Sequence, residues 1–252
     1  MDGWDRRVFS APLTTGEEAS FDVYERGEGP VVMIMQELPG IGPEALRLAD
    51  LFVKDGFRVA MPHLFGPLGK VSMLGNTVRA FCMRRELHLF ARGRSSPVVG
   101  WMRALCGDLR DRHGVPGVAV IGMCLSGNFA LTLVADDAVL TGMASQPSLP
   151  LFASGALHMS EAETAASRAA LDAKGPMLAY RFEKEPLCTA AEFDAIDAAF
   201  NDAEAERVRL TVLPGPGHSV LTMHFEDGPG TPTRKAYEEV RDHFRAALTA
   251  AA

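Results

Sequence analysis

The sequence predicts an α/β protein, with a mostly parallel central sheet and helices on both faces. Two observations carry the prediction. Short β-rich runs alternate with longer amphipathic segments, and the residues with suggestive chemistry fall at the carboxyl ends of those runs. Open sheets of this kind place their sites there, where loops leave the scaffold. No internal repeat, low-complexity tract or linker-like shift in composition divides the 252 residues. Residues 1–252 are therefore expected to form one domain.

P-V-V-M-I-M (30–35) reads as an apolar strand ending at Q-E-L-P-G-I-G. Residues 43–56 have helical periodicity, with Gly56 as a stop. F-R-V-A-M-P (57–62) is the next strand, and 95–110 a helix with Ser95 or Ser96 as cap and Pro97 in the first turn. V-A-V-I (118–121) enters the turn I-G-M-C-L-S-G-N, and 128–135 continues as a helix. Strands follow at 138–145, 176–182 and 207–213. Ser160 with Glu163, and Thr189 with Glu192, fit the capping box at two helix starts. Thr231 and Pro232 open a final helix to about Ala250. Residues 63–94 are irregular and arginine-bearing, and are expected to cover a site.

The net charge is −7, with no long basic run, which gives a nucleic-acid role little support. The first ten residues lack the apolar core of a signal peptide. No apolar stretch reaches the roughly 18 residues of a membrane span. Cys82, Cys106, Cys124 and Cys188 lack CxxC or Cys/His metal spacing and read as free thiols in a reducing compartment. The expectation is a soluble cytoplasmic protein that needs no metal or organic cofactor.

The turn after 118–121 is the centre of the functional reading. A nucleophile elbow has the form G-x-Nu-x-G, because strand and helix crowd the turn and demand tiny neighbours. Gly122, Cys124 and Ser126 fit it, with Cys124 as nucleophile and Ser126 replacing the second glycine. A cysteine nucleophile needs a base to form thiolate, and the base needs an orienting acid. Elbow enzymes supply them in the order nucleophile, acid, histidine. His218, in L-P-G-P-G-H-S beyond the last strand, is the histidine placed for the role. Glu183 and Glu185 compete for the acid after strand 176–182, and Glu185, further into the loop, is preferred. Elbow geometry assigns the oxyanion donors to the backbone N–H groups of Leu125 and of Leu38 in the first site loop.

These residues resemble the dienelactone hydrolase family of α/β-hydrolases over roughly residues 20–248. G-M-C-L-S-G matches the family's G-x-C-x-G-G elbow, Q36-E37-L38-P39-G40 its Q-E-x-x-G loop, and Gly217, His218 and Ser219 its G-H-S. P-H-L-F (62–65) is similar to its P-D-L-Y. The resemblance implies the α/β-hydrolase fold and a Cys–His–Asp triad, with Glu185 where the family has Asp. It further implies that Glu37 contacts the resting cysteine and yields when substrate binds. The family holds a substrate carboxylate with arginines, one of them a few residues after the histidine, where this chain has Thr222. Arg84, Arg85 and Ser219 are the substrate-binding candidates that remain.

The expected activity is hydrolysis of a small-molecule ester or lactone (carboxymethylenebutenolidase-like) through a thioester on Cys124. The competing reading is a non-enzymatic or redox-sensing thiol protein on the same scaffold. Ser126 as nucleophile is discounted, because it would put Asn128 at a position that needs a small residue.

Overall fold

Runs such as 31–34 and 118–123 present no polar side chain to either face, and such strands are stable where a sheet is covered on both sides. In the computed structural model, which describes residues 3–37, 40–64, 68, 96–148 and 157–251, both are fully buried. The strands are β1 (Asp5–Pro12), β2 (Glu18–Arg26), β3 (Val31–Ile34), β4 (Arg58–His63), β5 (Val118–Met123), β6 (Val139–Ser145), β7 (Met177–Phe182) and β8 (Val208–Leu213). They form an 8-stranded sheet in the order β1-β2-β4-β3-β5-β6-β7-β8. From β4 to β8 all neighbours are parallel. β1 pairs antiparallel with β2, and β2 antiparallel with β4.

The helices are α1 (Pro43–Lys54), α2 (Val98–His113), α3 (Gly127–Leu133), α4 (Glu161–Lys174), α5 (Ala190–Phe200) and α6 (Pro232–Ala250). Alternate strand residues separate two cores. Val118 and Val120 join Trp101, Leu105, Leu171 and Phe200 on the face covered by α2 to α5. Ala119, Ile121 and Met123 join Leu48, Phe52, Tyr237 and Phe244 on the face covered by α1 and α6. Burying a side chain such as Leu48 or Phe52 contributes about 1.5–3 kcal/mol. The expected mostly parallel sheet with helices on both faces is therefore present.

Three details differ from the sequence reading. The antiparallel pair β1–β2 was not anticipated. Most of β1, the edge strand, is exposed, and β2 buries only Val23, Tyr24 and Glu25, so no apolar run marks the pair. Helix α2 starts at Val98 with Pro97, not a serine, at the N-cap. One 3₁₀ turn, Cys124–Ser126, precedes α3, so that helix begins at Gly127. The Ser160–Glu163 capping box is formed, with the Ser160 N–H donating to Glu163 at 2.8 Å and the Glu163 N–H to Ser160 Oγ at 3.2 Å. The Thr189 N–H likewise donates to Glu192 at 2.8 Å. Of the expected covering segment 63–94, His63 ends β4 and Leu64 follows it, buried. Apart from Leu68, the rest lies outside the described residues.

Candidate active site

At the end of β5 the chain must reverse into α3 within a few residues, and the local sequence is built for that crowding. A Cβ on Gly122 would lie 2.1 Å from the Ser126 carbonyl oxygen, so this position accepts only glycine. Cys124 takes φ +54, a left-handed conformation that costs a non-glycine residue about 1–3 kcal/mol. Ser126 is buried, and its hydroxyl accepts the Met123 N–H at 2.9 Å and lies 3.0 Å from the Met123 carbonyl. That hydroxyl ties the turn to its own strand, and Ser126 is not the residue presented at its apex.

The loop after β8 brings His218 to this turn. Its Nδ1 lies 2.8 Å from Glu185 Oε1, and the Cys124 side chain also acts on the imidazole. With Nδ1 committed to Glu185, Nε2 is the nitrogen left for sulfur. Burial disfavours a charged imidazole here, but the hydrogen bonds and charges of Cys124 and Glu185 outweigh it and push His218 up to about 10.

Of the two competing glutamates, Glu183 is exposed and Glu185 is buried. Glu185 Oε1 also accepts the backbone N–H groups of Leu187 at 2.8 Å and Cys188 at 3.3 Å. The longer acid bends back onto its own loop, which fixes the carboxylate under His218. His224, not singled out from the sequence, holds the other side of the ring's loop. Its Nδ1 accepts the N–H groups of both His218 and Ser219 at 3.3 Å.

Glu37, after β3, is buried, and its carboxylate accepts hydroxyl hydrogen bonds from Ser219 at 2.8 Å and from Thr222. Thr222 thus closes onto Glu37, and its carbonyl accepts from the Arg47 guanidinium. Ser219 is occupied in the same way. None of these contacts takes the Glu37 carboxylate to the sulfur. Leu125 is buried directly after Cys124, where the elbow requires its N–H. Leu38, Arg84 and Arg85 lie outside the described residues.

The loop after β6 adds residues that sequence reasoning missed. Gln146 is buried with φ +36, and its side-chain oxygen accepts from the Ser145 hydroxyl and from the Val220 N–H at 3.3 Å. Ser148 lies beside Cys124. A signal was available: S-Q-P-S follows an expected strand at the same end of the sheet as every other site loop. Among the described residues, no three His, Cys, Asp or Glu side chains gather as a metal site. Cys106 and Cys188 are buried free thiols, pushed up chiefly by burial.

Comparison with known proteins agrees with this geometry. The sequence profile described as "Dienelactone hydrolase family" matches residues 21–248. No curated protein sequence matches the chain. A candidate dienelactone hydrolase from Klebsiella pneumoniae subsp. pneumoniae superposes with a TM-score of 0.61 at 14% identity, covering 97% of this chain and 99% of that one. The dienelactone hydrolase from Anabaena variabilis gives 0.60 at 13% identity, covering 96% and 99%. A cold-adapted esterase from an Arctic intertidal metagenomic library gives 0.59 at 13% identity, covering 98% and 96%. At such identities the likeness is one of fold, and the fold is that of the α/β-hydrolases. Because the family profile spans most of the chain and the elbow, glutamate and histidine loops meet at one end of the sheet, this protein belongs to the dienelactone hydrolase family.

Proposed function

We propose that the protein hydrolyses small-molecule carboxylic esters or lactones through a Cys124–His218–Glu185 triad. One observation carries the reading: a cysteine held at φ +54 on a buried strand-to-helix turn acts on a histidine whose Nδ1 is 2.8 Å from a buried carboxylate. The esterase and dienelactone hydrolase relatives by fold support the substrate class.

In this mechanism the Cys124 thiolate attacks the carbonyl carbon. The Leu125 N–H, with that of Leu38, receives the developing oxyanion, each such donor typically contributing about 2.7–4 kcal/mol. The His218 imidazolium protonates the departing alkoxide, leaving a thioester and a neutral imidazole. Water then adds to the thioester carbonyl and gives a proton to His218. The carbon–sulfur bond breaks, and its electron pair returns to Cys124 as the acid leaves. Glu185 holds the ring in one orientation throughout and stabilises its charged form. Glu37, held by Ser219 and Thr222 in this structure, would have to turn from them toward Cys124 to gate the thiol. Thr222 is engaged with Glu37 and offers no guanidinium for a substrate carboxylate, which favours neutral esters over dienelactone itself.

Turnover of an activated ester and a five-membered lactone by wild type and by Cys124→Ala tests the reading. Loss in the variant alone supports it, and equal turnover in both removes Cys124 as nucleophile. Absence of turnover in both, with reversible peroxide oxidation of Cys124, would move the assignment to a sensor thiol.

A further inference from the structure

The loop after β6 ends on the reacting sulfur. Ser148 Oγ is 3.6 Å from Cys124 Sγ, within donor reach of a sulfur acceptor, and the Ser148 N–H donates to the Cys124 carbonyl at 3.2 Å. The serine is 1% exposed. Its approach is built by its neighbours. Gln146 turns the chain at φ +36 and its N–H donates to the Tyr180 carbonyl. Pro147 then packs against Gly127, where a Cβ would lie 2.8 Å from Pro147 Cα. The glycine after the elbow is thus the space through which Ser148 reaches the nucleophile.

We propose that Ser148 is a catalytic residue whose hydroxyl donates a hydrogen bond to the Cys124 sulfur and favours its thiolate. This rests on the thiol-hydrolase reading above. A hydrogen bond to the charged form of an acid stabilises that form. The same donor acts when the thioester is cleaved: water bonds to the carbonyl carbon, its proton passes to His218, and the electron pair of the broken carbon–sulfur bond settles on a sulfur that already faces an O–H. Among the described residues, the titratable groups around Cys124 are His218, Glu185 behind that ring, and the buried thiol Cys188. Glu37 faces Ser219 and Thr222. Ser148 is the neutral donor of the set.

The test is the pH dependence of iodoacetamide alkylation, read at the Cys124-containing peptide by mass spectrometry. Ser148→Ala is expected to slow alkylation near pH 7 by about tenfold or more, the worth of a hydrogen bond to a charged group, and to move the midpoint to higher pH. Ser148→Thr should restore both. An unchanged profile in Ser148→Ala overturns the proposal, as does a fall in ester turnover with no shift of the profile. Should the alanine variant fold poorly, Ser148→Thr and Ser148→Val, alike in shape, differ in the hydroxyl, and identical profiles in that pair would overturn it equally. Alkylation needs no ester, so this outcome is independent of whether esters are the substrates.

Discussion

Among the described residues, two buried glutamates each hold a histidine, at opposite poles of the sheet. At the carboxyl pole Glu185 is 2.8 Å from His218. At the other, Glu25 on β2 is 2.7 Å from His113, the last residue of α2. Glu25 also accepts from Arg7 at 2.8 Å and Arg112 at 2.9 Å, and Arg7 continues to Asp108. Burial alone would raise Glu25, but the hydrogen bonds of Arg7 and His113 and the charge of Arg112 hold it below the usual carboxylate range. Among the described residues, no arginine pairs with Glu185. Its other partners are two N–H groups of its own loop, and its histidine turns to a thiol. A histidine–carboxylate pair is therefore not in itself a site. Surrounded by guanidinium groups it ties β1, β2 and α2 together; backed onto a strained cysteine it has the arrangement that the proposed mechanism uses.

The largest effect that could break this contrast is on catalysis. His218→Ala is expected to lower kcat/KM for an activated ester by about 10⁴–10⁶, the scale of removing one member of a triad. His113→Ala should leave that rate unchanged per folded molecule. Steady-state assays beside circular dichroism would decide it, and a comparable loss in both would mean the poles are not functionally distinct.

Next comes stability. Glu25→Ala strips a carboxylate from Arg7, Arg112 and His113, and losing one partner of a buried ionic cluster costs about 3–5 kcal/mol. Arg112 is 45% exposed and can turn to water, which places the expectation near the lower figure. Urea unfolding measures it, and a loss under about 1 kcal/mol would show the cluster to be ornamental.

The two pairs should also fail at opposite ends of the pH scale. Glu25 is lowered on folding, so its contribution is present above the unfolded value of about 4.3 and is lost as pH falls through the lower folded one. His218 is raised to about 10. Its contribution is complete below the unfolded value of about 6.5 and is lost as pH rises through about 10. Unfolding free energies against pH should lose their acid limb in Glu25→Gln and their alkaline limb in His218→Asn. A limb that survives its substitution sinks that half of the assignment.

The smallest effect concerns Glu37, a third buried carboxylate, which has hydroxyl partners only in Ser219 and Thr222 among the described hydrogen bonds. If it gates the thiol, Glu37→Gln should change the alkylation rate of Cys124 by several-fold, less than the loss expected from removing the Ser148 donor. An unchanged rate would leave Glu37 as a strut between the β3 and β8 loops.

What the sequence determined by itself was whatever short-range sterics dictate. The elbow is legible because Gly122, Cys124, Ser126 and Gly127 answer constraints set within six residues, and the β5 run because a doubly covered strand must be apolar throughout. His218 was legible from its loop and its order after the nucleophile. Tertiary structure alone decided the rest. β1 is exposed over most of its length and β2 buries only Val23, Tyr24 and Glu25, so no apolar run revealed them. Glu185 rather than Glu183 faces His218 because only its side of the turn points into the sheet end, where the N–H groups of Leu187 and Cys188 hold its Oε1. Thr222 meets Glu37 across 185 residues and Ser148 meets Cys124 across 24. Such contacts are set by which strands lie side by side, and no local pattern encodes a neighbour that the chain reaches only after the whole sheet has formed.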